Sequence, residues 1–217
     1  MSMDGESTLW SAGLAEFRDA TASAEPTPGG GSVAGVSATL GLGLVIMALE
    51  ISAKRKDAVR PEDMKGLIEA ARGLMAQLSA DADADVQAFR AYMAALKLPK
   101  ESDEEKARRK EALQTASRGA TEAPLLAARH MVAALRLAEM APPLTHPHVI
   151  SDVGAGTGLL EGALKAVLFN VDVNLPSLTD AELKAALAEE RMTLAGEGAG
   201  LASGILGTIA HRLASRS

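Results

Sequence analysis

The sequence predicts an all-α protein, a helical bundle of roughly six to eight helices forming one domain over residues 1–217. Three observations support this fold class. The chain is rich in alanine and has few β-branched runs, which favours helices over strands. Helix-start signals precede several of its apolar segments. Within such segments, apolar residues recur every three or four positions, as at Leu160, Leu164, Val167, Leu168 and Val171.

Caps and helix breakers place the first two helices. Ser7 is predicted to cap a first helix, and residues 26–32, Pro-Thr-Pro-Gly-Gly-Gly-Ser, are predicted to end it. One face of this helix is expected to carry Trp10, Leu14 and Phe17. A long apolar helix should follow as far as about Lys56. Its uncharged part, residues 33–49, is at the short limit for a membrane span, so we predict a buried core or interface helix.

Two long helices are predicted next. Pro61 precedes two acidic residues and begins a helix that runs towards Leu96. Residues 102–105, Ser-Asp-Glu-Glu, form a capping box for a helix that extends to about Met140. Pro124 predicts a kink or break within it, because proline lacks an amide hydrogen.

The last third of the chain is expected to begin with an irregular connection over residues 141–148, which contain three prolines. The periodic apolar segment that ends near Val171 follows. Residues 179–182, Thr-Asp-Ala-Glu, form a second predicted capping box, which opens the C-terminal helices.

The composition excludes several classes of protein. None of the 217 residues is cysteine, so disulfide frameworks, thiolate nucleophiles and cysteine-based zinc sites are ruled out. A net charge of −6 with 2% aromatic residues argues against nucleic-acid partners, which need a basic surface or stacking side chains. The first residues lack the basic and apolar segments of a secretory signal. We therefore expect a cytoplasmic protein with no nucleic-acid or membrane partner.

Residues 152–158, Asp-Val-Gly-Ala-Gly-Thr-Gly, are similar to the glycine-rich loop of methyltransferases that use S-adenosylmethionine. Such a loop needs a preceding strand and a surrounding parallel sheet. Only Val149 and Ile150 are available for that strand, and the sequence after the loop is helical. We therefore favour a helix start with closely packed glycines, and a methyltransferase is the least favoured function.

Several motifs occur in a defined order along the chain. They are Pro-Thr-Pro-Gly-Gly-Gly-Ser at 26–32, Lys-Arg-Lys at 54–56, Asp-Val-Gln-Ala-Phe at 85–89, Leu-Pro-Lys at 98–100, Ser-Asp-Val-Gly at 151–154 and Asn-Val-Asp-Val-Asn at 170–174. This ordered set resembles the cyclodeaminase/cyclohydrolase family, which comprises the C-terminal half of formiminotransferase-cyclodeaminase and the stand-alone methenyltetrahydrofolate cyclohydrolases. The resemblance covers about residues 8–215. The chain departs from the family pattern at residues 50–53, at Asp57 and at residues 145–148.

The resemblance implies an all-helical homodimer that binds a tetrahydrofolate derivative as its substrate and needs no metal or redox cofactor. The implied reaction is hydrolysis of 5,10-methenyltetrahydrofolate to 10-formyltetrahydrofolate. Two alternatives stay open: ammonia-releasing ring closure of a formiminotetrahydrofolate, and a non-catalytic folate-binding module. Either reaction requires proton transfer at nitrogen and stabilisation of a tetrahedral centre.

Four residues are candidates for this chemistry. Lys54 and Lys56 end the apolar helix, and at least one is expected to supply a proton or a fixed charge. Asp85 matches the family motif and is expected to act as a base or to orient a lysine. Asp152 is expected to cap its helix and to contact the pterin-like ring or water.

Polar groups suited to binding the substrate occur at three further places. The first is a helix start whose free backbone amides suit an anion or a ring carbonyl, formed by Gly29, Gly30, Gly31 and Ser32. Asn170 and Asn174 lie one turn apart and are suited to polar ring edges. His148 forms a pair with His146, and histidine titrates near neutral pH. A plain loop role is the main alternative for this pair.

Two possible metal sites fail the ligand rules. The aspartates at positions 81, 83 and 85 begin like a calcium loop, but Val86 and Tyr92 stand where such a loop needs glycine and glutamate. The His-Pro-His motif at 146–148 lacks an assured third ligand besides Asp152. We therefore expect no metal site.

Overall fold

The computed structural model describes residues 8–215, which contain helices, turns and loops but no strand. The α-helices are α1 (Leu14–Thr21), α2 (Gly30–Ala53), α3 (Pro61–Leu96), α4 (Asp103–Met140), α5 (Ile150–Asn174) and α6 (Ala181–Ala214). Short 3-10 helices occur at Leu9–Ser11, Pro147–Val149 and Leu175–Ser177. The predicted all-α class is confirmed. Residues 152–158 lie inside α5, so no strand-to-helix loop exists there for a methyltransferase cofactor.

The central pair of the bundle is α2 and α5, which pack antiparallel. Their backbones meet where Gly41 faces Gly156, and a Cβ built on Gly41 would lie 2.9 Å from the Gly156 carbonyl oxygen. Glycine is required for so close an approach, because any side chain at these positions would enter the opposite backbone. This contact sets the start of α2 beside the end of α5, and the end of α2 beside the start of α5.

The helices α3 and α4 form a long hairpin that packs against this pair, and α6 covers α4 and α5. The core is built from leucine, isoleucine, valine and alanine on five helices. Its fully buried side chains include Leu42, Leu49, Leu78, Leu135, Leu164 and Ile205. This continuous apolar core supplies the main favourable term for folding.

The predicted capping box at the start of α4 is confirmed. Ser102 Oγ accepts a hydrogen bond from the Glu105 amide at 3.2 Å, and the Glu105 carboxylate accepts from the Ser102 amide at 2.9 Å. The same carboxylate accepts from the Glu101 amide. The hydrogen bond from the Ser102 amide is the main cause that lowers the pKa of Glu105, and the one from the Glu101 amide adds to it.

Pro124 lies within α4 without ending it. Because proline has no amide hydrogen, the Ala120 carbonyl four residues earlier loses its helical donor. The Asn174 side chain at the end of α5 supplies a replacement, since its Nδ2 donates to that carbonyl at 2.7 Å. The predicted break is therefore wrong, since the helix continues through Pro124 and a neighbouring helix supplies the missing hydrogen bond; the predicted kink stays a prediction.

The predicted first helix is wrong in its apolar face. Ser7 lies outside the described residues. A 3-10 turn at Leu9–Ser11 precedes α1, and this turn changes the rotation between the apolar side chains. Leu9 is consequently buried, whereas Leu14 is 83% exposed. Trp10 instead donates its indole N–H to the Ser79 carbonyl of α3 at 3.0 Å.

Two predicted caps are also wrong. Asp180, not Thr179, caps α6, because Asp180 Oδ1 accepts from the Leu183 amide at 3.0 Å. A single helix follows it rather than several. Asp152 does not cap α5, because Val149 is the N-cap residue, the helix begins at Ile150 and Asp152 already lies in its first turn.

By length and composition alone, α2 is the one helix in the described part of the chain that could cross a membrane. In the bundle, 61% of its most apolar 18-residue window is buried. The remaining exposed apolar side chains, Leu40, Met47 and Ile51, lie on the outside of α2. The helix therefore has the buried stripe and the uncovered face expected of a core or interface helix.

Candidate functional site

Asp85, Ser32 and Asn170 converge where α2 begins and α5 ends. Ser32 Oγ donates to Asp85 Oδ2 at 2.8 Å, and Ser32 is fully buried while Asp85 is half-buried. A Cβ built on Gly31 would lie 2.5 Å from Asp85 Cγ and 2.7 Å from Asn170 Nδ2. The carboxylate and the amide therefore rest directly on the first turn of α2. Asn174 lies one turn beyond Asn170, donates its amide nitrogen to α4, and does not join this cluster.

The proline- and glycine-rich segment forms the α2 side of this cluster. Pro28 is buried and Gly29 is the residue before the first turn of α2. The first-turn amides have no acceptor inside the helix. A Cβ on Gly30 would lie 3.8 Å from Asn170 Oδ1. The predicted binding of an anion or a ring carbonyl by this turn stays a prediction.

An open groove of about 610 Å³ runs along α2 and α5 from this turn. Its walls are formed by small residues, such as Val33 and Ser37 on α2 and Gly158 and Gly162 on α5. Among the described residues that line it, Glu25 alone is charged. An open, mostly apolar groove that begins beside Gly29 and Gly30 suits a flat ligand.

Lys54, Lys56, Asp152 and His148 lie at the opposite end of the α2–α5 pair. Lys54 directly follows the last residue of α2, and both lysine side chains are exposed. The 24 residues of α2 separate its two ends by roughly 36 Å. Within one chain, the structure therefore places the predicted site residues in two groups, one around Asp85 and one around Lys54.

The histidine turn at this second end is held by two helices. The His146 amide donates to the buried Ser52 Oγ at 2.8 Å, and the Arg212 guanidinium of α6 donates to the Thr145 carbonyl at 3.2 Å. The rings of His146 and His148 meet edge to face, with centroids 4.8 Å apart. The turn is therefore a fixed element of the fold that presents two imidazoles.

Asp57 belongs to the segment that follows α2 and lies near enough to this turn to be influenced by the charge of His146. A hydrogen bond from Arg55, at 2.9 Å, is the main cause that lowers the pKa of Asp57, and the charge of His146 adds to it. Residues 50–57 and 145–148 are thus in contact through Ser52. These are the two segments in which the chain departs from the family pattern.

Sequence reasoning missed a polar pair between α3 and α4. His130 Nδ1 lies 2.6 Å from Asp81 Oδ2, although 49 positions separate the two residues. The alternation of aspartates at 81, 83 and 85 was the only local signal, and nothing near His130 indicates its partner. Among the described residues, no group of three or more histidine, aspartate or glutamate side chains is arranged to hold a metal ion.

Comparison with known proteins assigns the family. Residues 13–193 match the family described as formiminotransferase-cyclodeaminase. A methenyltetrahydrofolate cyclohydrolase from Methylorubrum extorquens is 38% identical over 177 residues, which are 81% of this chain and 83% of that protein. The chain belongs to the formiminotransferase-cyclodeaminase family. The resemblance inferred from the ordered motifs is confirmed.

Other members of the formiminotransferase-cyclodeaminase family extend the comparison. The formimidoyltransferase-cyclodeaminase of Rattus norvegicus is 31% identical over 208 residues, which are 95% of this chain but 38% of that longer protein. The structure of formiminotetrahydrofolate cyclodeaminase from Thermotoga maritima matches with a TM-score of 0.83 at 24% identity, covering 94% of this chain and 98% of that one. This match supports the fold. The relatives carry the names of enzymes of folate one-carbon chemistry.

Proposed function

We propose that this chain is a cytoplasmic enzyme that hydrolyses 5,10-methenyltetrahydrofolate to 10-formyltetrahydrofolate without a metal or redox cofactor. The Asp85 cluster is the observation that carries this proposal. A half-buried carboxylate is fixed by Ser32 and lies with Asn170 against the first turn of α2, beside which an open groove begins. The similarity to a cyclohydrolase over 83% of that protein's length supports the choice of reaction.

The chemistry requires one base and a negative charge near the reacting carbon. The methenyl carbon belongs to a cationic amidinium group, which a fixed carboxylate such as Asp85 attracts. Water adds to this carbon and loses a proton to a base, giving a neutral tetrahedral centre. The hydroxyl group then loses its proton as its oxygen forms the carbonyl, the bond from the carbon to N5 breaks, N5 receives a proton, and the carbon remains on N10 as a formyl group. Net, one water is consumed and one proton is released.

Asp85→Asn is expected to lower kcat/KM for 5,10-methenyltetrahydrofolate by at least about 100-fold, the range for loss of one electrostatic group beside the reacting atoms. Asparagine keeps the shape and can still accept the Ser32 hydroxyl, so the fold should persist. The loss of substrate absorbance, measured against an enzyme-free blank, gives the rate. Asp172→Asn is the matched control, because it removes only the exposed ion pair with Arg191 on the same end of α5. Equal rates for the two variants would remove Asp85 from the mechanism.

Ring closure of 5-formiminotetrahydrofolate is the second candidate reaction. Relatives named formimidoyltransferase-cyclodeaminase align with nearly the whole chain, and this similarity supports ring closure as the second candidate. The same cluster would serve, because this reaction also passes through a tetrahedral carbon between two nitrogens. Release of ammonia from the formimino substrate, with no acceleration of methenyltetrahydrofolate hydrolysis, would assign this reaction instead.

We further propose that the enzyme is a homodimer that joins the two groups of site residues. The outer face of α2 and α5 is apolar, with Leu40 54% exposed and Leu159 42% exposed. No residue between 26 and 49 is charged. A second copy packed antiparallel on this face would bury it, and would bring the Lys54 end of one α2 towards the Asp85 end of the other.

Mixing two inactive variants tests this arrangement. Lys54→Met and Asp85→Asn, each defective alone, should recover activity when refolded or co-expressed together. A two-fold dimer with random pairing restores one intact site in half of the dimers, which is about a quarter of wild-type activity. Lys65→Met, an exposed lysine on α3, is the control that should stay active alone. If the mixed dimers form but recover no activity, Lys54 of one copy and Asp85 of the other do not share a site across the interface.

A further inference from the structure

The three aspartates at 81, 83 and 85 connect α3 to three different parts of the fold. Asp85 accepts from Ser32 on α2, and Asp83 Oδ1 accepts from the Leu9 amide at 2.7 Å. Asp81 pairs with His130 on α4. The proposed function uses Asp85, and Asp83 attaches the N-terminal segment. The pair formed by Asp81 has no role in the site described so far.

The Asp81–His130 pair is short and largely shielded from water. Asp81 Oδ2 and His130 Nδ1 are 2.6 Å apart, and their side chains are 8% and 22% exposed. Burial raises the pKa of Asp81, and the hydrogen bond to His130 opposes that shift. A buried carboxylate without its partner would be costly, so the pair ties this turn of α3 to α4.

Few other charges act on this pair. From α2 none faces it, because residues 26–49 are uncharged. The N-terminal segment contributes the Leu9 amide and the Trp10 indole, both neutral. On α4, the neighbouring Arg129 is turned to Glu190 of α6, with Nη2 and Oε2 2.7 Å apart. The nearby carboxylates are those of α3 itself, Asp83 and Asp85.

Asp85 lies one helical turn after Asp81 on the same face of α3. Side chains at this spacing are neighbours, with Cβ atoms about 5–6 Å apart. A change in the charge of the Asp81–His130 pair therefore changes the electrostatic potential around the Asp85 carboxylate. With Asp81 ionised and His130 neutral, the pair is negative; after it gains one proton, it is neutral as a whole.

We propose that Asp81 and His130 are positioning residues for Asp85, fixing its turn of α3 against α4 and adding a negative charge that a proton can remove. This inference rests on the proposed role of Asp85. The expected consequence concerns the cationic substrate, which is attracted by negative charge. As the pH falls and the pair is protonated, binding of the cation should weaken and KM should rise.

Two conservative variants separate the charge from the hydrogen bond. Asp81→Asn keeps a polar partner for His130 but is neutral at every pH, so KM should be raised about three- to tenfold and should depend less on pH. His130→Gln keeps a donor for Asp81, so the α3 turn should stay fixed and kcat should stay near the wild-type value. His130→Ala removes the hydrogen bond and should lower kcat about tenfold through misplacement of Asp85.

The measurement is kcat and KM for 5,10-methenyltetrahydrofolate between about pH 6 and 8. Arg129→Ala is the matched control on α4, since it breaks only the exposed pair with Glu190 and should leave both constants unchanged. Wild-type constants and pH profiles in Asp81→Asn and His130→Ala, with Asp85→Asn inactive, would overturn this inference and leave the proposed function intact.

Hydrogen exchange tests the positioning separately from catalysis. In His130→Ala, amides over residues 78–90 should exchange faster than in Arg129→Ala, because the tie to α4 is lost. Equal exchange in the two variants would overturn the positioning role. If the wild-type protein shows no turnover of this substrate, the proposed function fails, and the exchange result still decides whether the pair holds the Asp85 turn.

Discussion

Gly31→Ala is expected to reduce turnover of 5,10-methenyltetrahydrofolate by about 100-fold, because the added methyl group displaces Asp85. Its Cβ would lie 2.5 Å from Asp85 Cγ and 2.7 Å from Asn170 Nδ2, distances at which one side must move. Both side chains belong to packed helices, and the Asp85 carboxylate is also held by Ser32. A shift of the carboxylate breaks that hydrogen bond and moves the charge away from the first turn of α2.

The effect should be local, since alanine is favoured over glycine within a helix by about 1 kcal/mol. Thermal unfolding should therefore stay near that of the wild-type protein while the rate falls. Gly73→Ala on α3 is the control, because nothing lies within 4 Å of its Cβ position. A Gly31→Ala enzyme as fast as Gly73→Ala would mean that the position of the Asp85 carboxylate does not matter to the reaction.

Gly156→Ala is expected to lower the free energy of unfolding by about 3 kcal/mol, the upper range for overpacking a core. The added Cβ would enter the carbonyl oxygen of Gly41 and lie 3.0 Å from Val45 Cγ2. The obstructing atom is backbone, which has no alternative rotamer, so α2 and α5 must separate. In a domain of this size, the melting temperature should fall by roughly 6–12 °C.

Chemical denaturation and calorimetry measure this change directly. Gly204→Ala on α6 is the control, because its Cβ position has no neighbour within 4 Å. That variant should be as stable as the wild-type protein or slightly more stable. If Gly156→Ala unfolded like Gly204→Ala, the close approach of α2 and α5 would not be a feature of the protein in solution.

Most of the helical framework was predictable from local signals. Pro61 and Ser102 begin their helices as expected, because the first-turn proline and the capping box act within four residues. The apolar face of the first helix was not predictable from local signals, because the burial of Leu9 depends on the docking of the N-terminal segment against α3. The break expected at Pro124 was wrong for the same reason, since the replacement donor to the Ala120 carbonyl is Asn174, 54 positions after Ala120 in the chain.

The candidate site was predictable as a set of residues but not as an arrangement. Ser32, Asp85 and Asn170 were each identified from motifs, and the fold brings them together. Sequence spacing could not reveal that Lys54 lies at the far end of the same helix pair, because this depends on the antiparallel packing of α2 and α5. The Asp81–His130 pair had no signal at His130 at all.

The Gly41–Gly156 contact also bears on how the protein is made. Gly156 leaves the ribosome 115 residues after Gly41, which at 5–20 residues per second is a delay of roughly 6–23 s. During that interval α2, the most apolar segment of the chain, has no α5 to cover it. The nascent chain is therefore exposed to chaperones, to membranes and to other nascent chains through the helix that later becomes its centre. Slower translation of residues 54–156 should consequently lengthen this exposure and lower the yield of folded protein.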